Sequence, residues 1–481
     1  CIRDRLEKAS TIYFPLGYHN MNDYQAKEDG QIIDADGCLY LRDNQSVYIP
    51  GGAFVEGLVD REKYQNVNQK LYGRGILSGR QYLWAHHPDA PFNDDPYHPD
   101  YHRQIVNLGD NAEINGLMIM ESHHHGIVAR KTRIENLKML GWHCNNDLVR
   151  VGDGSEISNC FLRAVDDHFY NYNIHVHDVV LWAGHNGAIV TFGWASYETG
   201  ASLLENIDII NPEWTGLGNN NGLIASQVDF DFKPQDYGTG STMTIFRDIR
   251  IEGDIPGLTN LKSKVRDGSW ASPKIPAADV GYVGDVILEN ITVNSQWGKG
   301  VLKGNSDPAT DADTTFWVQN VHFKNVSIGG EPLTETNKTD YFDINAYTRN
   351  ITFQSVFVDI TEPPNGAFIS QDSLLTVVVD AQSITGIEKV EFYYDDSLLV
   401  TDDAVPFEAI YECLKAGKRK ISVKAYDNPD NFAEDSVSIN VFFPDDVLPE
   451  INFISPADSS SFIFSEPVEL NVITTDNIGI I

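Results

Sequence analysis

The chain has 481 residues and a formal net charge of −34 at pH 7, with 42% hydrophobic and 11% aromatic residues. This length predicts two or three folded units, and the apolar fraction is sufficient for large cores. Nucleic acids need a basic face on their partner, and an anionic membrane surface would repel this chain, so neither partner is expected. A neutral polymer is compatible with the charge, whereas a polyanion would need a local basic groove.

The five cysteines are too few for a disulfide framework, and their odd number leaves at least one thiol unpaired. We expect buried free thiols, although Cys144 and Cys160 could be neighbours. The sequence shows no run of 18 or more apolar residues typical of a membrane span and no visible signal peptide. Lipidation of Cys1 is a minor alternative, since no cleavage motif can be read before it.

A hydrophobic phrase recurs along the chain: apolar, any residue, Asn/Asp/Gly, apolar, any residue, apolar. Its copies are INGLMI (114–119), IENLKM (134–139), ISNCFL (157–162), VHDVVL (176–181), LENIDI (204–209), FRDIRI (246–251), LENITV (288–293) and FKNVSI (323–328). The steps between copies are 20, 23, 19, 28, 42, 42 and 35 residues, which indicates a period near 20 with 42 as two periods. Such a period is typical of a solenoid, and the alternation with β-branched residues predicts strands.

Short strands of this kind cannot bury their apolar face alone, so stacked copies must share one core. The Asn or Asp at the third position suits a left-handed turn, where such side chains can form ladders. The sequence therefore predicts an all-β chain in which residues 1–361 form a right-handed parallel β-helix, with coils from about residue 30. An antiparallel sandwich would need tight hairpin turns, and this region lacks sequences typical of them.

The motif SHHHG (122–126) is the first polar cluster within the repeats. A metal site would need several ligands converging on one point, but adjacent strand residues point to opposite faces. The sequence offers no further ligand set at a recognised spacing. We therefore predict histidines that line a groove, and no metal.

Three aspartates fall in the following coils. Asp147 lies in HCNNDLVRV, and Asp166 and Asp167 lie in FLRAVDDHFYNYN, 19 and 20 residues further on. Residues one coil apart are neighbours at about 4.8 Å, so this spacing predicts a cluster of three carboxyl groups. Because adjacent strand residues alternate in direction, the Asp pair must lie at a strand end or a bulge.

Clustered carboxylates repel each other, so at least one of them should hold a proton near neutral pH. A protonated carboxyl group beside ionised ones is the chemical equipment of glycoside hydrolysis. A calcium site or an Asp ladder in turns would explain the same spacing. The spacing alone leaves these alternatives open.

The chain changes character at TEPPNG (361–366), after which short alternating strands and turn signals follow. This pattern predicts an immunoglobulin-like sandwich over residues 362–444. The match of SITGI (383–387) with DNIGI (476–480) predicts that residues 445–481 begin a second, incomplete copy. Such modules are expected as spacers outside the cytoplasm.

The site motifs resemble those of β-helical glycoside hydrolases. NND (145–147), VDDHF (165–169) and AGHNGAIVTFGW (183–194) are similar to the order Asn-x-Asp, Asp-Asp, Gly-His-Gly of the polygalacturonase family. The closer resemblance is to glycoside hydrolase family 49, the dextranase and isopullulanase group. It is carried by YIPGGAFVEG (48–57), by GRGILSGRQYLW (73–84), and by the stretch from Asn146 to NIDII (206–210), and it covers roughly residues 10–360.

This resemblance implies roles for the three aspartates. Asp166 is implied as the general acid that protonates the departing oxygen, and Asp147 and Asp167 as the pair that holds and deprotonates the attacking water. Such a layout implies inversion, with acid and base about 6.5–9.5 Å apart. A single displacement with an acid and a base needs no cofactor.

Four further residues are predicted to contact substrate. His168 replaces the glycine that usually follows the Asp pair in the family and could narrow the site or contact a sugar. His185 matches the polygalacturonase histidine and could tune Asp166, although a stacked turn histidine is nearly as plausible. Trp142 and Trp194 could stack on sugar rings, although each is individually more typical of a core residue.

The predicted function is therefore a secreted or cell-surface endo-glycosidase that cleaves an α-glucan of the dextran or pullulan type by inversion. A second hypothesis keeps the chemistry but changes the substrate to polygalacturonate or a sulfated algal polysaccharide. The polygalacturonases hold the sugar carboxylate with an Arg and a Lys, and AIVTFGWASYET (188–199) contains no cation. A third is a non-catalytic carbohydrate-binding rod or adhesin with dispensable aspartates. Terminal regions beyond this sequence could attach the protein to a cell surface.

Overall fold

The computed structural model describes residues 10–24, 32–83, 104–143, 145–193, 201–218, 220–227, 243–262, 282–304, 317–412, 415–428, 431–442, 450–463 and 467–475. The chain divides into two compact units, residues 1–357 with 383–385, and residues 358–382 with 386–481. The sequence predicted this boundary after residue 361. Among the residues that the structure describes, there is no helix with the length and hydropathy that crossing a membrane requires.

Short strands dominate the first unit. They are β1 (Thr11–Tyr13), β2 (Gly17–Asn20), β3 (Cys38–Leu41), β4 (Ser46–Ile49), β5 (Ala53–Glu56), β6 (Leu58–Arg61), β7 (Lys70–Gly73), β8 (Ile76–Ser78), β9 (Val106–Asp110), β10 (Glu113–Asn115), β11 (Met118–Met120), β12 (Ile127–Arg130), β13 (Arg133–Glu135), β14 (Lys138–Leu140), β15 (Val149–Gly152), β16 (Ser155–Ser158), β17 (Phe161–Ala164), β18 (Phe169–Tyr170), β19 (Ile174–Ala183), β20 (Ala188–Gly193), β21 (Leu203–Ile210), β22 (Gly222–Gln227), β23 (Thr244–Ile255), β24 (Thr259–Lys262), β25 (Val283–Gln296), β26 (Gly300–Lys303), β27 (Val318–Ile328), β28 (Glu331–Pro332), β29 (Phe342–Ile344) and β30 (Thr348–Gln354). A 3₁₀ turn covers Met21–Tyr24, and a single helical turn, α1, covers Lys338–Tyr341.

Successive coils pair in parallel and form two sheets. Sheet A begins as two rows, β1–β4–β7–β10–β13–β16 and β2–β5–β8–β11–β14–β17. The rows merge at β19, whose first half pairs with β16 and whose second half pairs with β17, and β21, β23, β25, β27 and β30 continue it. Sheet B is the row β3–β6–β9–β12–β15–β18–β20–β22–β24–β26–β29. This is a parallel β-helix, as predicted.

The repeated phrase builds the core of the helix. Its first position is at most 1% exposed in every copy: Ile114, Ile134, Ile157, Val176, Leu204, Phe246, Leu288 and Phe323. Burial of each such side chain stabilises the fold by about 1.5–3 kcal/mol. One aligned column of apolar side chains therefore runs through consecutive coils.

The third position of the phrase turns the chain, as predicted. Its Asn and Asp residues have left-handed φ angles between 49° and 58°. Their side chains form ladders between coils: Asn290 Nδ2 donates to Asp248 Oδ1 at 3.0 Å, and Asn325 Nδ2 donates to Asn290 Oδ1 at 3.0 Å. Side-chain donors and acceptors of neighbouring coils thus form hydrogen bonds with each other along the column of turns.

The interpretation of the 42-residue steps as two periods is wrong. Leu204 pairs directly with Phe246, and Phe246 pairs directly with Leu288. Each step is therefore a single coil with longer connections between its sheet A and sheet B strands. Sequence spacing counts connections as well as strands, so a length of two periods does not require two coils.

The second unit is a mainly antiparallel sandwich, in which β32 and β38 pair in parallel, with a further strand pair. Its strands are β31 (Val356–Glu362), β32 (Phe368–Ser370), β33 (Leu374–Ser383), β34 (Lys389–Tyr394), β35 (Ser397–Asp402), β36 (Phe407–Glu412), β37 (Gly417–Asn428), β38 (Asn431–Phe442), β39 (Glu450–Ser455) and β40 (Asn471–Thr475). The sheets are β31–β33–β36 and β32–β38–β37–β34–β35, with β39 and β40 paired separately. Fully buried Val377, Phe392, Val423 and Ile439 form part of its core. Residues 476–480, used for the predicted second copy, lie outside the described residues.

Two of the predicted thiols can be placed. Cys38 and Cys160 are buried. Burial raises the pKa of the Cys160 thiol to about 11, so this side chain behaves as a small apolar group. Cys1, Cys144 and Cys413 lie outside the residues that the structure describes.

Candidate active site

The three aspartates lie where the chain passes from sheet A to sheet B. Asp147 precedes β15, and Asp166 and Asp167 precede β18, so the pair lies at a strand end as expected. Val149 pairs with Phe169 in the register of β15 and β18. The amide of Leu148 donates to the carbonyl of Asp167 at 3.0 Å, which sets Asp147 beside Asp167 in adjacent coils.

Asp167 is the most firmly held of the three. It is 4% exposed, and its Oδ1 accepts hydrogen bonds from the Ala188 amide at 2.9 Å and from Thr191 Oγ1 at 2.5 Å. Burial, followed by the negative charges of Asp166 and Asp147, raises its pKa well above the ordinary value. Both hydrogen bonds come from the next coil, so the stacking of coils fixes this carboxyl group.

Asp166 is half-buried and is more exposed than Asp147 and Asp167. Its Oδ2 accepts a hydrogen bond from Asn186 Nδ2 at 2.5 Å, and its Oδ1 accepts one from the Asp167 amide at 3.0 Å. Burial, with the charge of Asp147 second, raises its pKa to about 7. Near neutral pH this carboxyl group can therefore supply a proton.

Asp147 is 6% exposed and contacts two residues that sequence reasoning did not assign. Its Oδ2 lies 3.3 Å from His125 Nε2 and accepts a hydrogen bond from the Tyr170 hydroxyl. Burial raises the pKa of Asp147 to about 6, against the lowering effects of Tyr170 and Arg150. Asp147 is thus held by His125 and Tyr170, whereas Asp166 is held by Asn186, and such different surroundings allow two carboxyl groups to take acid and base roles.

Two glycines allow the coils to approach closely at this point. A Cβ on Gly187, whose φ is +69°, would lie 2.4 Å from the Asp167 amide nitrogen and 2.7 Å from Asp166 Oδ1. A Cβ on Gly141 would lie 1.4 Å from Asn146 Oδ1. Any larger residue at either position would displace the side chains that make up the site.

The structure corrects the prediction for His168. This residue is 1% exposed, and its Nε2 lies 3.2 Å from the carbonyl oxygen of Trp182. Burial lowers its pKa to about 4, so the ring is neutral near pH 7. The side chain occupies the interior of the helix and is not positioned to contact a sugar.

The other predicted contact residues differ in placement. His185 is exposed in the turn before β20, and it is the following residue, Asn186, whose side chain donates to Asp166. Trp142 is 48% exposed, and the Arg163 guanidinium lies 4.0 Å from the centre of its ring. Trp194 lies outside the described residues. Trp142 is thus an exposed aromatic ring that packs against the Arg163 guanidinium.

The supporting residues could have been found from the coil register. His125 lies 22 residues before Asp147, and Tyr170 lies 23 residues after it, each about one coil away. The motif SHHHG therefore contributes one site residue, whereas His123 and His124 are buried, at 4% and 3% exposed, and do not fit the prediction of groove-lining histidines. Within the described ranges, the structure contains no group of three or more His, Cys, Asp or Glu side chains arranged to hold a metal ion.

Fold and site together define a parallel β-helix protein with a stacked carboxyl cluster at the edge of one sheet. The chain is similar to the isopullulanase of Aspergillus niger, with 24% identity over 236 residues, 44% of this chain and 42% of that protein. It is also similar to the dextranase of Arthrobacter globiformis, with 24% identity over 281 residues, 53% of this chain and 41% of that protein. The predicted resemblance is confirmed, and the chain spans about two fifths of the length of these relatives.

The C-terminal unit has its own matches. Residues 357–423 match the family described as bacterial Ig domain, which confirms the predicted immunoglobulin-like module. Among solved structures, the fibronectin(III)-like modules of Clostridium thermocellum CbhA show 29% identity, covering 18% of this chain and 95% of that chain, with a TM-score of 0.16.

A solved structure also matches a larger part of the chain. The family 28 exopolygalacturonase of Yersinia enterocolitica shows 14% identity, covering 68% of each chain, with a TM-score of 0.46.

Proposed function

We propose that this protein is a secreted or cell-surface glycoside hydrolase that cleaves an α-glucan of the dextran or pullulan type within the chain, with inversion. The observation that carries the proposal is the stacking of Asp147 against the Asp166–Asp167 pair of the next coil, where burial raises the pKa of all three carboxyl groups. The substrate class comes from the relatives, which are an isopullulanase and dextranases.

The proposed reaction is one displacement at the anomeric carbon. Asp166 donates its proton to the departing glycosidic oxygen, while Asp147 accepts a proton from the attacking water, which Asp167 helps to hold, as the new C–O bond forms. Asn186 orients Asp166, and His125 and Tyr170 orient Asp147. The chain's own side chains supply both proton transfers.

The substrate class is tested by measuring new reducing ends from dextran, pullulan and polygalacturonate under identical conditions. The proposal expects oligosaccharides from dextran or pullulan. Release of oligosaccharides from polygalacturonate alone would support the second hypothesis, in which the substrate is polygalacturonate and not an α-glucan. Binding of these polymers without cleavage would favour the carbohydrate-binding rod.

The pH dependence of kcat follows from the two carboxyl groups. Rising pH removes the proton of Asp166 near pH 7, and falling pH protonates Asp147 near pH 6, so activity should fall on both sides of this interval. A kcat profile between pH 4 and 9 checks this. Activity that keeps rising to pH 9 would contradict the role of Asp166 as the acid.

Trp142 is proposed to stack on a sugar ring beside the carboxyl cluster. Trp142→Ala should raise KM for the polysaccharide about tenfold, with kcat changed much less, because ring stacking holds substrate and transition state alike. Trp297→Ala is the matched control, since Trp297 is also exposed, at 57%, but lies after β25. Equal effects of the two substitutions on KM would contradict the proposal.

A further inference from the structure

Arg163 lies between two tryptophans, close in the chain to the proposed catalytic acid. Its guanidinium is 4.0 Å from the centre of the Trp142 ring and 4.9 Å from the centre of the Trp182 ring. Arg163 precedes Asp166 by three residues, so their Cα atoms are at most about 11 Å apart. The two tryptophans therefore belong to the surroundings of the carboxyl cluster.

The order of the coils places Trp142 and Glu213 on opposite sides of Asp166. Trp142 follows β14, Asp166 follows β17 and Glu213 follows β21, and these strands stack in the order β14, β17, β19, β21. The chain stays in register at this edge, because the Gly141 amide donates to the carbonyl of Arg163 at 2.8 Å. Neighbouring coils are about 4.8 Å apart. A sugar chain that runs along the coils past Asp166 would thus reach Trp142 on one side and Glu213 on the other.

The charge of Arg163 is enclosed. Its side chain is only 7% exposed, its Nη1 donates to the carbonyl of Gly141, and its Nη2 lies 3.4 Å from Glu213 Oε1. A guanidinium group that holds a sugar carboxylate must present paired N–H donors to it. Arg163 is instead a support for Trp142 and a partner of Glu213.

Glu213 uses one carboxylate oxygen for internal contacts. Its Oε1 accepts a hydrogen bond from Trp182 Nε1 at 3.0 Å as well as the contact from Arg163. Among the residues that the structure describes, Oε2 has no hydrogen-bond partner, and the side chain is 33% exposed. Sugar hydroxyls donate strong hydrogen bonds to a charged acceptor, whereas a sugar carboxylate would be repelled. The carboxylate is thus oriented from behind and has one oxygen open to a ligand.

We propose that Glu213 is a specificity-determining residue that selects uncharged sugars. Trp182 and Arg163 hold its Oε1, and its Oε2 accepts a hydrogen bond from a hydroxyl of the bound polysaccharide. The inference rests on the proposed function, because it places a polysaccharide at the aspartates. It explains by one side chain why this part of the site accepts a neutral glucan and disfavours a polymer of acidic sugars.

Glu213→Gln, added to the full chain carrying Asp166→Asn, tests this role without turnover. Trp182 and Arg163 both donate towards Oε1, so they should bind the amide oxygen of the new side chain and leave its NH₂ group facing the ligand. We expect dextran to bind about tenfold more weakly than to the parent, because a charged acceptor has become a donor. Carboxymethyl dextran, which has the same backbone, should bind more tightly than to the parent. Titration calorimetry gives both affinities and their ratio.

Glu135→Gln is the matched control. The Glu135 side chain is 28% exposed and lies 3.8 Å from an arginine, Arg133, but it belongs to β13 in the other row of sheet A. This substitution removes the same charge and should leave the ratio of the two affinities unchanged.

Glu213→Asp is the second test of the contact. It keeps the charge but shortens the side chain by one methylene, so it should weaken dextran binding without strengthening the binding of carboxymethyl dextran. Melting curves identify a variant that fails to fold, and the other Glu213 variant then decides.

The outcomes separate this role from the proposed function. An affinity ratio that folded Glu213→Gln leaves unchanged, or that Glu135→Gln changes equally, overturns the role of Glu213. Undiminished dextran binding by folded Glu213→Asp overturns it too. If the wild-type chain cleaves dextran or pullulan while the ratio is unchanged, the proposed function stands and only this role fails. If the wild-type chain cleaves neither polymer, the proposed function fails whatever the binding result.

Discussion

Asp166→Asn is expected to lower kcat on the cleaved α-glucan by about 10²–10⁴-fold, the usual contribution of a general acid. The amide keeps the size of the carboxyl group and can still contact Asn186, but it cannot donate a proton to the leaving oxygen. KM should change little, because the substitution removes an interaction made in the transition state. Initial rates of reducing-end release give both constants.

The matched control is Asp178→Asn. Asp178 occupies the left-handed position of the repeat, with a φ of 55°, where Asn136, Asn159 and Asn206 stand in other coils. This variant removes one negative charge from a neighbouring coil by the same chemical change and should retain wild-type activity. Full activity of Asp166→Asn, or an equal loss in Asp178→Asn, would contradict the role of Asp166.

Asp166→Asn should also stabilise the fold at alkaline pH. A carboxyl group whose pKa is raised in the folded state contributes stability below its unfolded pKa, and this contribution is lost as the pH rises through the folded value, about 7 for Asp166. Asp166→Asn removes this ionisation, so its Tm should exceed that of the wild type at pH 8. A variant that is inactive yet at least as stable excludes misfolding as the cause.

Asp147→Asn is expected to lower kcat by a similar factor of about 10²–10⁴, because the attacking water loses its base. The two roles can be distinguished with an α-linked oligosaccharide that carries a nitrophenyl leaving group. This leaving group needs no protonation, so the substrate should restore much of the rate of Asp166→Asn. It should not restore the rate of Asp147→Asn, since water must still be deprotonated.

Tyr170→Phe tests the role of Asp147 by removing its hydrogen-bond donor while leaving the carboxyl group itself unchanged. It removes the hydroxyl that donates to Asp147 and leaves the ring that contacts Arg150. We expect a smaller loss of kcat and a shift of the acidic limb of the pH profile to higher pH, because the lost hydrogen bond favoured the ionised carboxyl group. Rescue of Asp147→Asn by the activated substrate would contradict its assignment as the base.

Much of this fold can be predicted because the repeat encodes local structure directly. Alternation fixes which side chains enter the core, and Asn or Asp at the third position fixes where the chain turns, so Ile134, Asn136 and Met139 could each be assigned. The 19- and 20-residue spacing of the aspartates predicted their proximity for the same reason. The length of a connection follows no such rule, which is why the 42-residue coils were misinterpreted.

Orientation at the turns could not be predicted from alternation. His168 and Phe169 are adjacent, yet both are buried, because the chain bends between β17 and β18 instead of continuing as one strand. The cavity lined by Arg61, Arg130 and Arg150 was not predicted either, because these residues are far apart in sequence and the chain as a whole has a net charge of −34. Only the stacking of sheet B brings them to one cavity.

The central claim is that the stacked aspartates hydrolyse an α-linked glucan in one displacement. Proton NMR of the ends first released from dextran or pullulan tests it, with Asp166→Asn run in parallel. The account predicts that the wild-type chain releases β-anomers, which then mutarotate, and that the variant releases none at a comparable rate. Initial release of α-anomers, or equal release by the variant, would contradict it.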